Sequence, residues 1–281
     1  MRLAKILETL TRTPLLMLPS SAESYLTLFD QHMRMSVEDF QAAREGVDWC
    51  GDPVELEQMT IEDGVAMIPI KGPLGIELGK FEKGQGATDY MDIMDDLKSA
   101  RDNPKVKSGI LVMDTPGGMW GGLPECAAAI KDFREEGKEL YCFVPPGGCI
   151  ASAGMYLAAA CGGRFLSQSA QAGSIGVYCA YTDMSEVAKA RGLKIKVFSS
   201  GKYKGMGVPG TSLTEVQEQY LQESVMSLAQ EFYDHIRTHL GAIADESMQG
   251  QMFKARASVS LGLADAIVKD LAEVKGWLTS E

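Results

Sequence analysis

A single serine, Ser152, stands where a nucleophile could work. It lies in the stretch PPGGCIASAGMYLAAACGG (Pro145 to Gly163), in which a glycine-rich turn leads into a helix of small residues. The first turn of a helix presents unpaired backbone N–H groups and the positive end of the helix dipole, and both stabilise an oxyanion. The pattern therefore predicts a nucleophile, although a small-residue helix with one serine is also the ordinary pattern of a tight packing site.

An oxyanion hole needs a second amide donor beside the one that follows the serine. The turn DTPGG, at 114–118, offers one, since glycine allows the backbone to come close to a substrate carbonyl. We therefore predict that the N–H groups of Gly118 and Ala153 form the pair of donors. Turns of this kind are common after strands, so neither motif is decisive by itself.

A serine nucleophile also needs a base, and the three histidines of the chain are poorly placed to supply it. His32 lies in the N-terminal segment, while His235 and His239 lie on a long amphipathic helix rather than in a turn. A Ser-His-Asp triad is thus disfavoured. His235 and His239 are four residues apart and could in principle bind a metal, but spacing picks out no third ligand, so we predict no metal site and no cofactor.

The remaining candidate for the base is a lysine. A lysine accepts a proton only when it is neutral, and because a free lysine has a pKa of ~10.4, burial without an acidic partner must lower that value. The chain has no carboxylate between Glu186 and Glu215, and the stretch VFSSGKYKGMGVPG lies in this interval. This reasoning leaves Lys202 and Lys204 as candidates.

Strand and helix patterns alternate around these residues. VKSGILVMDTPGG and ELYCFVPPGG are typical of buried strands, GLPECAAAIKDFREEG is typical of a helix, and LKIKVFSSG predicts a further strand. We expect an α/β domain over residues 61–281 with much parallel pairing. Residues 1–60 are predicted to form a helical extension that docks on this domain or on another subunit.

Composition excludes several classes of function. A net charge of -11 and a pI near 4.9 disfavour nucleic-acid binding. The six cysteines show no metal-ligand spacing and lie mostly in apolar runs, which is typical of reduced, intracellular thiols. No signal peptide or membrane anchor is recognisable, and the stretch PLLMLP is too short to span a bilayer.

Five motifs taken together resemble the signal peptide peptidase A family of Ser-Lys peptidases, in particular its branch of phage prohead (capsid assembly) proteases. The resemblance runs from about Gly64 to Val268. The motifs follow one another in the family's order: DTPGG, ASAGMY, AGSIGVY, SSGKYKGMGVP and SLGLADAIV. The family belongs to the Clp protease and crotonase-like superfamily, so the resemblance implies a fold of repeated strand-strand-helix units.

The resemblance also implies roles for individual residues. Ser152 corresponds to the nucleophile and Lys204 to the general base, which makes Lys202 its exposed neighbour. Ser174, in the motif GSIG, corresponds to the serine that orients the lysine amine by a hydrogen bond.

As a whole, the resemblance implies a serine endopeptidase that forms a homo-oligomer and cleaves the scaffold and capsid proteins of a phage head. It would act in the host cytoplasm or inside the prohead, and any scaffold protein would be a separate product. Three alternatives stay open. They are a host-type cytoplasmic peptidase that degrades peptides, a crotonase-like acyl-CoA enzyme with a carboxylate base, and an inactive structural subunit of a capsid or portal.

Overall fold

Strands and helices alternate along the part of the chain that the computed structural model describes, residues 15–18 and 58–279. The strands are β1 (Leu15–Met17), β2 (Thr60–Glu62), β3 (Val65–Lys71), β4 (Leu74–Gly75), β5 (Thr88–Asp89), β6 (Ser108–Asp114), β7 (Gly117–Met119), β8 (Glu139–Val144), β9 (Cys149–Ala151), β10 (Gly163–Ser167), β11 (Gln171–Gly173), β12 (Met252–Lys254) and β13 (Ala266–Val268). The helices are α1 (Lys80–Gly84), α2 (Tyr90–Asp102), α3 (Leu123–Glu135), α4 (Ala153–Ala160), α5 (Ser185–Ala190), α6 (Glu215–Leu240), α7 (Ala255–Ser260) and α8 (Leu271–Thr279). Most of the predicted extension over 1–60, with His32, lies outside the described residues.

The largest sheet has six strands in the order β13-β10-β8-β6-β3-β2. All of its neighbours are parallel except β2 and β3, which are antiparallel. The central strand β6 is an almost continuously buried apolar run, as a parallel strand covered on both faces requires. Two smaller sheets, β1-β7-β4-β5 and β12-β11-β9, lie beyond the carboxyl ends of these strands.

One structural unit recurs along the chain. A long strand of the main sheet is followed by a short strand of a smaller sheet and then by a helix, as in β6-β7-α3 and β8-β9-α4. The α/β class and the repeated strand-strand-helix units predicted from the sequence are confirmed. This arrangement carries both DTPGG and Ser152 to the same edge of the sheet.

The strand predicted for LKIKVFSSG is wrong for this chain. Residues 193–199 form no strand, and the Phe198 side chain is 90% exposed. The stretch alternates apolar and polar residues as a strand would, but a strand also needs a neighbour with which to share its hydrogen bonds. Within the described ranges these residues have no such neighbour.

Helix α4 is buried along its whole length. It packs between α3 and α6, and its alanines and glycine allow the neighbouring helices to approach closely. The longer helix α6 is amphipathic. Among the described residues, no helix combines the length and the apolar character that crossing a bilayer needs.

Candidate active site

Ser152 occupies a sharp turn between β9 and α4. Its backbone has φ 53° and ψ −113°, a conformation that L-residues seldom adopt and that clusters at functional sites. The residue is only 1% exposed. Its N–H donates to the Gly173 carbonyl at 2.9 Å, and its hydroxyl lies 3.4 Å from the Gly176 carbonyl oxygen. The turn thus places Ser152 at the N-cap of α4, with its hydroxyl directed toward the Gly176 carbonyl.

The DTPGG turn lies directly against this serine. Thr115 joins the two segments, since its N–H donates to Cys149 at 2.7 Å and its carbonyl accepts from Ala151 at 3.0 Å. A Cβ placed on Gly117 would come within 2.9 Å of the Ser152 Cβ, and one on Gly154 would come within 2.4 Å of the Thr115 Cγ2. Glycine is therefore required at both positions for this approach. Sequence reasoning missed the role of Thr115, although its place within DTPGG could have indicated it.

Gly118 lies inside a sheet rather than on an open turn. Its strand, β7, is flanked by β4 on one side and by β1 on the other, and Leu16 of β1 stands opposite Gly118. The Leu18 N–H donates to the Pro116 carbonyl at 2.9 Å. Since hydrogen-bonded pairs alternate along an antiparallel ladder, the Gly118 N–H faces the Leu16 carbonyl.

The carbonyl of Leu16 also lies near Ser152. The position that a Cβ of Gly117 would take is 2.1 Å from the Leu16 oxygen and 2.9 Å from the Ser152 Cβ. A peptide carbonyl of the chain itself thus lies against β7, close to the Ser152 turn. Residues 15–18 dock on the domain at this point.

Ser174 follows β11 and stands close to Ser152. It is 7% exposed, has φ 51°, and donates its N–H to the Gln251 carbonyl at 2.7 Å. The residue before it, Gly173, accepts the hydrogen bond of the Ser152 N–H. The two serines are therefore joined through a single backbone contact.

Lys204 does not join this group in the single chain. Lys202 and Lys204 are both exposed, in a turn where the Lys204 N–H donates to the Gly201 carbonyl at 3.2 Å. Within the described part of the chain, no hydrogen bond links Lys204 to Ser152 or to Ser174. The structure thus brings together Gly118, Ser152, Ala153 and Ser174, and it leaves both lysines at the surface.

The cysteines near the site are poor alternatives as nucleophiles. Burial, assisted by the carboxylate of Asp114, raises the pKa of Cys149 to about 11. Burial likewise raises the pKa of Cys161 to about 12. Because the thiolate is the reactive form, these groups are unreactive at neutral pH.

The long helix α6 packs against α4, the helix that follows Ser152, through His235. The imidazole stacks on the Tyr156 ring with a centroid separation of 3.5 Å, and its Nε2 lies 2.9 Å from the Tyr156 carbonyl oxygen, to which it donates. Burial, and then the charge of His239, lower the pKa of His235 to about 4. His235 is thus a neutral packing residue at physiological pH, and no group of three metal-binding side chains occurs among the described residues.

This depressed pKa predicts a loss of stability in acid. The unfolded chain takes up a proton at His235 near pH 6.5, whereas the folded chain does so only near pH 4. The free energy of unfolding should therefore fall between these two values as the pH is lowered, by about 3 kcal/mol or less for this residue. Urea unfolding at several pH values should show a flatter dependence for His235→Gln, which keeps a donor but does not titrate. An equal slope in both proteins would contradict the assignment.

Comparison of the chain with known protein families identifies the family to which it belongs. The model of peptidase family S49 matches residues 133–276, slightly more than half of the chain. The chain belongs to peptidase family S49. The matched region of this S49 chain includes Ser152, Ser174 and Lys204.

Individual relatives of the S49 chain come from phages and from bacteria. Capsid assembly protease C of Escherichia phage lambda is 28% identical over 77% of this chain and 49% of its own length. Head-tail preconnector protein GP5 of Enterobacteria phage P21 is 27% identical over 74% of this chain and 41% of its own length. A putative signal peptide peptidase SppA of Enterococcus faecium is 24% identical over 76% and 64%. The chain thus spans about half the length of the two phage relatives.

Proposed function

We propose that this S49 chain is a serine endopeptidase in which Ser152 is the nucleophile and Lys204 the general base. The observation that carries the proposal is the contact between the Ser152 turn and the DTPGG turn. It sets a buried serine with positive φ against Gly117, next to Gly118 and at the start of α4. On this proposal the Gly118 and Ala153 N–H groups are the oxyanion donors. This is the arrangement that acyl transfer from a peptide requires.

The proposed reaction proceeds by acyl transfer. The Ser152 Oγ attacks the peptide carbonyl carbon while its proton passes to the neutral Lys204 Nζ, and the Gly118 and Ala153 N–H groups stabilise the oxyanion. Lys204 then protonates the leaving amine, and water hydrolyses the acyl-enzyme by the same proton path. Ser174 is proposed to orient the lysine amine.

Lys204 is proposed to reach Ser152 from a second copy of the chain. The lysine segment and the adjoining helices expose an unusual number of large apolar side chains, and such patches mark interaction sites. We define the 184–226 apolar surface by its exposed members: Met184, Val187, Leu193, Ile195, Val197, Phe198, Tyr203, Val216, Tyr220 and Met226. An interface at this surface would bury Lys204 and give residues 193–199 a neighbouring strand.

Mixing two inactive variants tests this arrangement. Ser152→Ala and Lys204→Ala should each be inactive alone. After subunit exchange the mixture should regain about a quarter of the wild-type activity, since random pairing joins an intact Ser152 to an intact Lys204 at about one site in four. Each variant mixed with itself is the control. If fluorescently labelled subunits exchange and the mixture stays inactive, the two residues do not act across an interface.

The substrates are proposed to be scaffold and capsid proteins of a phage head, because two of the relatives are phage proteins concerned with capsid assembly and the head-tail preconnector. The enzyme would then act in the host cytoplasm or inside the prohead. The Enterococcus faecium relative favours a host-type peptidase as the second candidate. Incubation with purified proheads distinguishes them, because only the phage-type enzyme should cleave scaffold and capsid proteins at defined bonds.

The geometry gives less support to the acyl-CoA alternative. A crotonase-like reaction would need a carboxylate base at the two amides, whereas the carboxylate of the DTPGG turn, Asp114, accepts a hydrogen bond from the Cys149 N–H at 2.9 Å. An inactive structural subunit would have no need of a strained, buried serine at this position.

A further inference from the structure

We infer that Leu15–Met17 occupy the groove in which polypeptide substrates bind, so that the chain covers its own active site. The inference rests on the proposed peptidase function and adds how the site is filled and what must happen before a substrate enters. It is drawn from the pairing of β1, the position of one carbonyl and the burial of two side chains.

The pairing is that of a peptide added to a sheet edge. Leu15, Leu16 and Met17 stand opposite Met119, Gly118 and Gly117 in an antiparallel ladder. Addition of an extended strand to such an edge is a common way for proteins to hold peptides, with affinity supplied by the backbone hydrogen bonds. Apart from β1, this side of β7 has no partner strand within the described ranges.

The carbonyl of Leu16 takes the place of a substrate carbonyl. It faces the Gly118 N–H, as the alternation of the ladder requires, and lies beside the Ser152 Cβ. A substrate whose carbonyl is to be attacked by Ser152 must accept a hydrogen bond from the same amide. The two peptides therefore cannot occupy the site together.

The side chains of β1 fill separate apolar sites on the two sides of the strand. Leu16 is fully buried in the central core, whereas Met17, 3% exposed, packs with Leu78, Ala87 and Met119. Alternate side chains held in alternate pockets are what give strand addition its specificity. An extended peptide with two adjacent apolar residues would fill the same sites.

A reversible cross-link tests whether this strand blocks the groove. Leu15 and Met119 stand opposite each other in the ladder as a pair without hydrogen bonds between them. The two Cα atoms of such a pair are typically about 4.5 Å apart, a distance that a disulfide can bridge. The double variant Leu15→Cys, Met119→Cys should lose peptide hydrolysis when oxidised and regain it on reduction. Each single variant under the same oxidant controls for the native cysteines and for the altered packing of Met119.

Binding measured without catalysis separates this inference from the proposed mechanism. In a Ser152→Ala background, a fluorescein-labelled TPLLML peptide, the sequence of residues 13–18, should bind at least about tenfold more weakly to the oxidised than to the reduced double variant, because the linked strand cannot leave. Equal binding in both states would overturn the inference. If binding responds to oxidation while no form of the enzyme hydrolyses peptides, the catalytic assignment fails and the groove assignment stands.

Discussion

Replacing Lys204 with alanine is expected to lower peptide hydrolysis by about 10³-fold or more, and Ser152→Ala should do the same, because the nucleophile and its base act as a unit. For the same reason the double variant should be hardly worse than either single variant. The measurement is the turnover of a fluorogenic peptide by purified, folded enzyme, with circular dichroism to confirm folding.

Lys202→Ala is the matched control. Lys202 is exposed in the same turn, and its backbone carbonyl, not its side chain, accepts a hydrogen bond from the Gln217 side chain at 2.9 Å. Its loss should leave turnover nearly unchanged. If Lys202→Ala is inactive while Lys204→Ala retains activity, the base is the other lysine and the proposed register is wrong by two residues.

A methyl group at Gly118 is expected to be among the most destabilising single changes in the domain. The Cβ of an alanine would stand 2.0 Å from the Leu74 carbonyl oxygen and 2.6 Å from its carbon. Because these are backbone atoms of β4, no side-chain rotation can relieve the clash. We expect Gly118→Ala to lower the free energy of unfolding by about 3 kcal/mol, measured by urea denaturation.

Gly276→Ala provides the comparison for this change. A Cβ at Gly276 meets nothing within 4 Å, and the residue lies within α8, where alanine is favoured over glycine. Equal stabilities of the two variants would show that β4 can move aside. The clash also means that loss of activity on substituting Gly118 reports on folding before it reports on the oxyanion hole.

The sequence predicted those parts of the site that depend on local structure. Ser152 directly follows β9 and the DTPGG turn begins at the last residue of β6, and parallel strands carry their ends to one edge of a sheet. The α/β class follows from the same pattern. The Ser152 turn was recognisable from its short motif of small residues, although the contacts that hold it, such as the hydrogen bond to Gly173, come from distant parts of the chain.

Other features of the fold and the candidate site depend on contacts with residues that are distant in the sequence, or on contacts that a single chain does not supply. The three-residue strand β1 is too short to show a periodicity, and its place beside Gly118 depends on a contact between remote segments. The stretch LKIKVFSSG has the alternation of a strand but finds no neighbour in a single chain. Among the described residues, the segment around Lys204 likewise has no neighbour that covers this lysine in a single chain. The burial predicted for Lys204 therefore depends on groups outside this segment.

The positive φ angles of Ser152 and Ser174 have a consequence for how such an enzyme can evolve. Non-glycine residues held in these regions cost of order 1–3 kcal/mol each, whereas glycine adopts them readily. A whole domain is stable by only about 5–15 kcal/mol, so two such serines reduce the margin that tolerates further mutations. Mutation to glycine at either position would relieve the backbone strain but remove a hydroxyl that the proposed mechanism uses. On that mechanism, selection for catalysis keeps these serines, and a lineage that lost the need to cleave would be expected to lose them first.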